Sequence, residues 1–219
     1  NYIRDNYDSM NVLEGISNFD DERVFDDYDV GQTMHGLGFL WTFFPHWTDI
    51  TYRTQPTSLI DNWNDDDKLR SLIRKTYVWQ LKYGRGRFTE NRIRQNAKVY
   101  CSKQSVSNFR PTAAKALYNR FGEGGVVWDM SAGWGGRLMG FLASDCRLYY
   151  GTDPSTKSFN GLVELAQEYF DEYFIYSSSE AVFIAPSKTV RLVKSGSECW
   201  TPPSNSVDLC FTSPPRSEE

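Results

Sequence analysis

The sequence has only four cysteines in 219 residues, Cys101, Cys146, Cys199 and Cys210, and no two of them form a C-x-x-C pair. It has only two histidines, His35 and His46. That scarcity argues against a metal centre or a disulfide framework, and the cysteines read as free thiols. Long hydrophobic runs are also missing. The longest, Gly36 to Phe44, is far shorter than the roughly 20 residues a membrane-spanning helix needs. The start carries Asp5, Asp8 and Glu14 where a signal peptide would be basic, so a soluble, intracellular chain is expected. Aromatics, by contrast, make up 16% of the residues within an apolar content of 40%, a composition suited to a packed globule rather than to disorder. A chain of this length can bury a real core as one domain with an appendage, or as two small domains.

The net charge of -4 conceals a segregation of sign. Residues 1–67 hold 14 acids against Arg4, Arg23 and Arg53, a net of -11. Residues 68–120 hold 14 Lys and Arg against Glu90 alone, a net of +13. Tyr77, Trp79, Tyr83, Phe88 and Tyr100 are interleaved with this basic block, and Arg85 and Arg87 alternate with glycines between Tyr83 and Phe88. Such a pattern suits a phosphate backbone, with Lys82, Arg85, Arg87, Arg92 and Arg94 as the expected nucleic-acid contacts. The competing reading is that the block only neutralises the acidic arm within one fold.

The first 30 residues are polar and aperiodic, and predict a loosely ordered arm with one short helix. The dense aromatic cluster over 36–47 must pack against the main domain or a partner. Between Asp65 and Tyr83, Leu69, Leu72, Ile73, Tyr77 and Leu81 fall at helical spacing after an acidic start suited to the macrodipole. A second helix is expected over about 90–100. After Asn108 the elements alternate: a helix over 112–121 led by Pro111, strand 126–129, a glycine loop, helix 137–144, strand 147–153 and helix 156–170. An irregular stretch then precedes strands at 189–194 and 207–212. This alternation predicts an α/β fold with a parallel, doubly wound sheet. The expected division is an arm plus basic helical region over 1–107 and a core over 108–219.

The loop from Asp129 to Gly136 follows a strand and opens a helix, where open α/β sheets bind ligands, and Asp153 ends the next strand 17 residues past Gly136. An acid there can accept hydrogen bonds from a ribose diol, and bare glycines admit a ligand close to the backbone. A nicotinamide cofactor would call for G-x-G-x-x-G, but the third glycine position is Leu138. Asp129, four residues before Gly133, would repel a pyrophosphate and suit a cation. The last strand runs into Thr212-Ser213-Pro214-Pro215, which sets a hydroxyl beside a carbonyl and removes two backbone N–H groups.

With these residues the chain resembles the S-adenosylmethionine-dependent amino methyltransferases of DNA, whose motifs are a D-x-x-x-G-x-G-G loop and, later, (D/N/S)-P-P-(Y/F/W). The resemblance covers about residues 108–215, with the motifs in order on the right elements. It implies a Rossmann-like methyltransferase sheet, of which about four strands are recognisable, with a helical N-terminal region. It implies S-adenosylmethionine as cofactor: Gly133, Gly135 and Gly136 around the methionine and ribose, Asp129 near the ammonium, and Asp153 with Pro154 at the ribose hydroxyls. Phe109, Pro111 and Thr112 match the family's N-terminal cofactor motif, and Ser197 and Glu198 match its adenine contact. Ser213, Pro214 and Pro215 would be catalytic, accepting from the amine of a flipped cytosine or adenine.

The implied partner is DNA, with RNA left open, in a cytoplasmic or nucleoid-associated setting. The residue after the prolines is Arg216, where the family has an aromatic that stacks on the flipped base. The family's sheet has seven strands. Either a second chain supplies the others, or the sequence is truncated, or the residues after Pro215 are not the native continuation. Methylation of a protein glutamine amide and a catalytically silent nucleic-acid scaffold are the rival readings. C5-cytosine chemistry lacks its Pro-Cys pair.

Overall fold

The computed structural model describes residues 4–25, 33–51, 57–83, 88–89, 92–93, 96–97 and 107–212. The chain forms two compact units: Asn1–Phe44 with Asn108–Ser217, and Pro45–Ser107 with Glu218–Glu219. The division falls between 107 and 108 as expected, but residues 1–44 group with the α/β part rather than with the basic helical region.

In the first unit the arm is ordered by its own side chains. Asp8 accepts the amides of Met10 and Asn11 and so caps helix α1 (Ser9–Ser17). Val12 and Ile16, one turn apart, are buried on one stripe of that helix. Asp21 pairs with Lys115 at 3.0 Å, the same ammonium donates to the Phe19 carbonyl at 2.8 Å, and Tyr169 donates to the Ser9 carbonyl at 3.0 Å. The expectation of a loose arm is corrected: apolar burial and three polar ties fasten it to the core. The aromatic cluster resolves likewise. Helix α2 (Leu37–Leu40) and the residues after it bury Phe39, Leu40, Phe43 and Phe44 in the same core as the sheet.

In the second unit Ser58 and Asp61 exchange hydrogen bonds in a capping box that starts helix α3 (Leu59–Trp63). Helix α4 (Asp66–Tyr83) follows, buried along Leu72, Thr76 and Gln80. The helix expected from the spacing of Leu69, Leu72, Ile73, Tyr77 and Leu81 is present, with Ile73, Tyr77 and Leu81 exposed on the same side as Arg70 and Arg74. The small core of this unit joins Leu72 and Ala97 with Leu59, Leu69 and Ile93. Most of the second helix expected over 90–100 lies outside the described residues.

Helix α5 (Pro111–Gly122) begins with proline at a first-turn position that lacks an intrahelical donor anyway. Strand β1 (Val126–Asp129), helix α6 (Gly136–Ala143), strand β2 (Leu148–Thr152) and helix α7 (Thr156–Gln167) follow as the alternation predicts. Residues 172–184 then form a hairpin, β3 (Glu172–Ser177) and β4 (Glu180–Ile184), before β5 (Thr189–Val193) and β6 (Leu209–Cys210). The six strands lie in the order β3-β4-β5-β2-β1-β6. β5, β2, β1 and β6 are mutually parallel, whereas β4 runs antiparallel to β5 and β3 antiparallel to β4.

The fold is α/β, but the expected all-parallel sheet is corrected to a mixed one. All six residues of β3 are exposed, so its sequence carries no alternation of burial that would mark it as a strand. Along the sheet, alternate residues Val127, Tyr149, Val190, Leu192, Ala181 and Phe183 form the buried face. No described helix is long and apolar enough to cross a membrane.

Candidate functional site

The connection from β1 leads to β2 on one side, while β6 lies on the other side of β1, so successive parallel connections turn in opposite directions there. Loops leaving the carboxyl ends of such strands diverge and open a crevice. The loop from Met130 to Gly135 leaves that end of β1, Asp153 follows β2, and Phe211 and Thr212 follow β6.

The glycine loop is held by hydrogen bonds from three sides. Gly133 donates its amide to Asp153 Oδ2 at 2.9 Å, and Ala132 donates to the Thr152 carbonyl at 2.9 Å. Asn108 Nδ2 donates to the Trp134 carbonyl at 2.6 Å. From below, Arg137 Nη2 donates to the Ser131 carbonyl. The other Asp153 oxygen accepts the Ser155 amide at 2.9 Å, just before α7. Burial raises the carboxyl pKa of Asp153 above the ordinary range, although the two amides and Arg137 pull the other way.

The three glycines do different work. Gly133 has φ +59°, and an added Cβ would make only ordinary contacts, the nearest to the Ser131 carbonyl at 3.7 Å, so it needs glycine for its conformation and not for room. At Gly135, with φ +75°, a Cβ would press to 2.7 Å from Leu165 and 3.1 Å from Phe44. At Gly136 a Cβ would collide with the Phe109 carbonyl. Gly135 and Gly136 are buried packing glycines, and of the three only Gly133 is partly exposed and uncrowded.

Asp129 is engaged within the protein. It is fully buried, its Oδ2 accepting from Arg137 Nε and from the Tyr149 hydroxyl, each at 2.7 Å, while Oδ1 takes the Ser131 amide at 3.2 Å. These partners take up the carboxylate on which the expected contact with a cofactor ammonium would draw. Burial works against the charge on Arg137, but the Asp129 carboxylate outweighs it and holds the guanidinium pKa above its usual value. Burial, with the Asp129 charge beside it, pushes the Tyr149 and Tyr118 hydroxyls well up. Arg137 is the residue that sequence reasoning missed. Its signal was an arginine in the first turn of a helix, where a positive charge opposes the macrodipole unless a carboxylate meets it.

Phe109 is half-buried with its ring edge-on to Phe211 at 5.4 Å and 5.7 Å from the Arg137 guanidinium. The N-terminal motif and the end of β6 are thereby brought together. Pro111 and Thr112 are buried, and Pro154 is exposed beside Asp153. Ser197 is half-buried and Glu198 exposed, its carboxylate folded over Gly196, in the loop that leaves β5 beside β2. Ser213, Pro214 and Pro215 lie outside the described residues, directly after Thr212. So do Arg85, Arg87 and Arg94. Lys82 is exposed with its ammonium 4.9 Å from the Tyr83 ring, and the Arg92 guanidinium lies 5.1 Å from the Trp79 ring. Among the described residues, no group of three His, Cys, Asp or Glu side chains is gathered for a metal ion.

Comparison with protein-family models, with curated proteins and with solved structures finds no match to this chain.

Proposed function

We propose that the chain is an S-adenosylmethionine-dependent methyltransferase acting on an exocyclic amine of a DNA base, cytosine N4 or adenine N6, on a Rossmann-like sheet. The observation that carries this reading is the convergence of Gly133, Asp153 and the end of β6 at the carboxyl edge of parallel strands, where connections diverge. The residues present suit the cofactor. Gly133 is partly exposed and carries no side chain over the loop, and each Asp153 oxygen, with one amide already bonded, keeps acceptor capacity for a ribose diol. The Asp129 charge is neutralised internally, so the cofactor ammonium would draw on other acceptors, loop carbonyls among them.

When bound, S-adenosylmethionine supplies an electrophilic methyl group on a sulfonium. The amine of cytosine or adenine is conjugated with its ring and is a weak nucleophile. Ser213 and the Pro214 carbonyl would accept its two hydrogens, localising the lone pair toward the methyl group. Pro215, with no N–H, keeps that spot free of competing donors. The proton leaves late to solvent and no strong base is needed. Asp153 and Gly133 hold the cofactor side of the reaction in register. The basic residues of 68–107 would hold the nucleic-acid backbone while the base leaves its stack. Arg216 in place of a stacking aromatic favours a second reading, a cofactor-bound scaffold that binds nucleic acid without turnover.

DNA, RNA and a glutamine-bearing peptide incubated with the protein and isotope-labelled cofactor separate these readings by mass analysis of the digests. Label in N4-methylcytosine or N6-methyladenine of DNA, abolished by Ser213→Ala with cofactor affinity retained, is the expected result. Cofactor binding without label in any acceptor favours the scaffold. No binding in calorimetry overturns both.

A further inference from the structure

We infer that the chain self-associates by antiparallel pairing of the β3 edge with β3 of a second copy, around a two-fold axis at Phe174. Among the described residues β3 has one neighbour in the sheet, β4, and every residue from Glu172 to Ser177 is exposed. Phe174 is 53% exposed, Ile175 52% and Tyr176 66%. Natural sheets guard an outer edge with lysine, proline, an inward charge or a bulge, and here the one irregularity is the register shift between Ile175 and Ser177, at the end of the strand. This strand has neither lysine nor proline, and its one charge, Glu172, sits at its end. Its aromatic and β-branched residues are those that favour strand pairing.

The self-complementarity of the strand argues for a second copy as the occupant. Successive side chains alternate between the faces, so a two-fold axis normal to the sheet must pass through a residue, not between two, for paired side chains to share a face. Tyr173 is opposite Phe183 and Ile175 opposite Ala181 on the buried face, while Phe174 is opposite Val182 on the other. An axis at Phe174 centres the pairing on the regular part of the strand and leaves the register shift between Ile175 and Ser177 at its margin, whereas an axis at Ile175 would bring that shift next to the axis.

With the axis at Phe174, that ring meets its own copy, and Tyr173 meets Ile175 of the second copy twice. These are aromatic–aromatic and aromatic–β-branched pairs, both favourable across strands. The rings are already disposed for it. Phe174 stacks on Tyr176 at 6.3 Å within one chain, so the axis would assemble four rings on one face. On the other face Tyr173 is held against Phe183 at 5.6 Å. Glu172 falls opposite Tyr176 of the second copy, and no like charges oppose each other.

The full chain should sediment at twice its 25.3 kDa mass at tens of micromolar. Phe174→Lys, which sets two ammonium groups opposite each other on the axis, should return it to a single-chain mass with an unchanged circular-dichroism spectrum. In a chain with Cys101, Cys199 and Cys210 replaced by serine, Phe174→Cys should form a covalent dimer on oxidation, since directly opposed residues lie within disulfide reach. Tyr173→Cys should do so only when mixed with Ile175→Cys. A single-chain mass for the unaltered protein, a dimer that survives Phe174→Lys, or self-cross-linking of Tyr173→Cys as ready as that of Phe174→Cys would overturn the inference. None of these readouts depends on cofactor or nucleic acid.

Discussion

Arg137 donates from Nε to Asp129 Oδ2 at 2.7 Å, with 5% and 0% of the two residues exposed. Tyr149 adds its hydroxyl to the same oxygen, and the second guanidinium nitrogen reaches the Ser131 carbonyl in the glycine loop. The last residue of β1 and the first turn of α6 are thereby locked through the loop they flank. This pair belongs to the support under the site.

Removing one partner of a buried pair leaves the other charge uncompensated, at a cost of about 3–5 kcal/mol. Arg137→Met should therefore lower the urea midpoint sharply, while Asp129→Leu combined with Arg137→Met should recover much of the loss. If the single variant unfolds no earlier than the parent, the pair does not carry the loop.

Asp153 links the loop to the proposed cofactor. Its carboxyl pKa is raised by burial, so the folded protein holds this proton more tightly than the unfolded chain does. Stability from this group is therefore present at low pH and is lost as pH rises through the raised pKa. Ribose hydroxyls need the ionised acceptor, so binding works against the bound proton. Cofactor affinity in calorimetry should be flat near neutrality and should fall on acidification, beginning above the ordinary aspartate value of 3.8. Asp153→Ala should weaken affinity at neutral pH by about 1.5–3 kcal/mol and remove the pH dependence. An unchanged affinity would place the diol elsewhere.

Ile16 is fully buried in the core that contains the sheet, and Asp21 engages Lys115 and Asn119. Ile16→Ala should cost about 2–5 kcal/mol, as large-to-small core changes do. Removal of residues 1–25 should cost more. Melts in which either change is neutral would show that the arm is dispensable to the fold.

The parallel part of the fold was legible because β1 and β2 sit between helices with clear starts, which Pro111 and the glycine run mark, and β5 is a short apolar run closed by a loop. The β3–β4 hairpin was not, since an edge strand with both faces in water leaves no alternation to detect. For α4 the spacing marked the helix but not its orientation, because spacing alone could not tell the buried stripe of Leu72, Thr76 and Gln80 from the outward one of Ile73, Tyr77 and Leu81. In the site, Asp153 and Gly133 were readable by position along the chain. The role of Asp129 was not, because it depends on Tyr149 and Arg137, which meet only when β1, β2 and α6 are assembled.

The outward stripe of α4 changes how the basic block is to be tested. Lys115 and Arg120 lie on α5, where Lys115 engages Asp21 and Arg120 rests 4.2 Å from the Phe25 ring, so this end of the block serves the arm. Arg70 and Arg74 are exposed beside Tyr77 and Leu81, which suits a phosphate backbone with bases or sugars against the apolar side chains. Duplex affinity should fall with salt at a slope of about -0.9 in log K against log[salt] for each phosphate neutralised. Arg70→Ala with Arg74→Ala should reduce that slope by roughly 2 if each arginine meets one phosphate, and so should the pair Arg85→Ala and Arg87→Ala. Lys115→Ala should leave the slope alone and lower stability instead. A slope indifferent to both arginine pairs, or no binding at about 50 mM salt, would remove nucleic acid as the substrate and leave the glutamine amide as the acceptor to test.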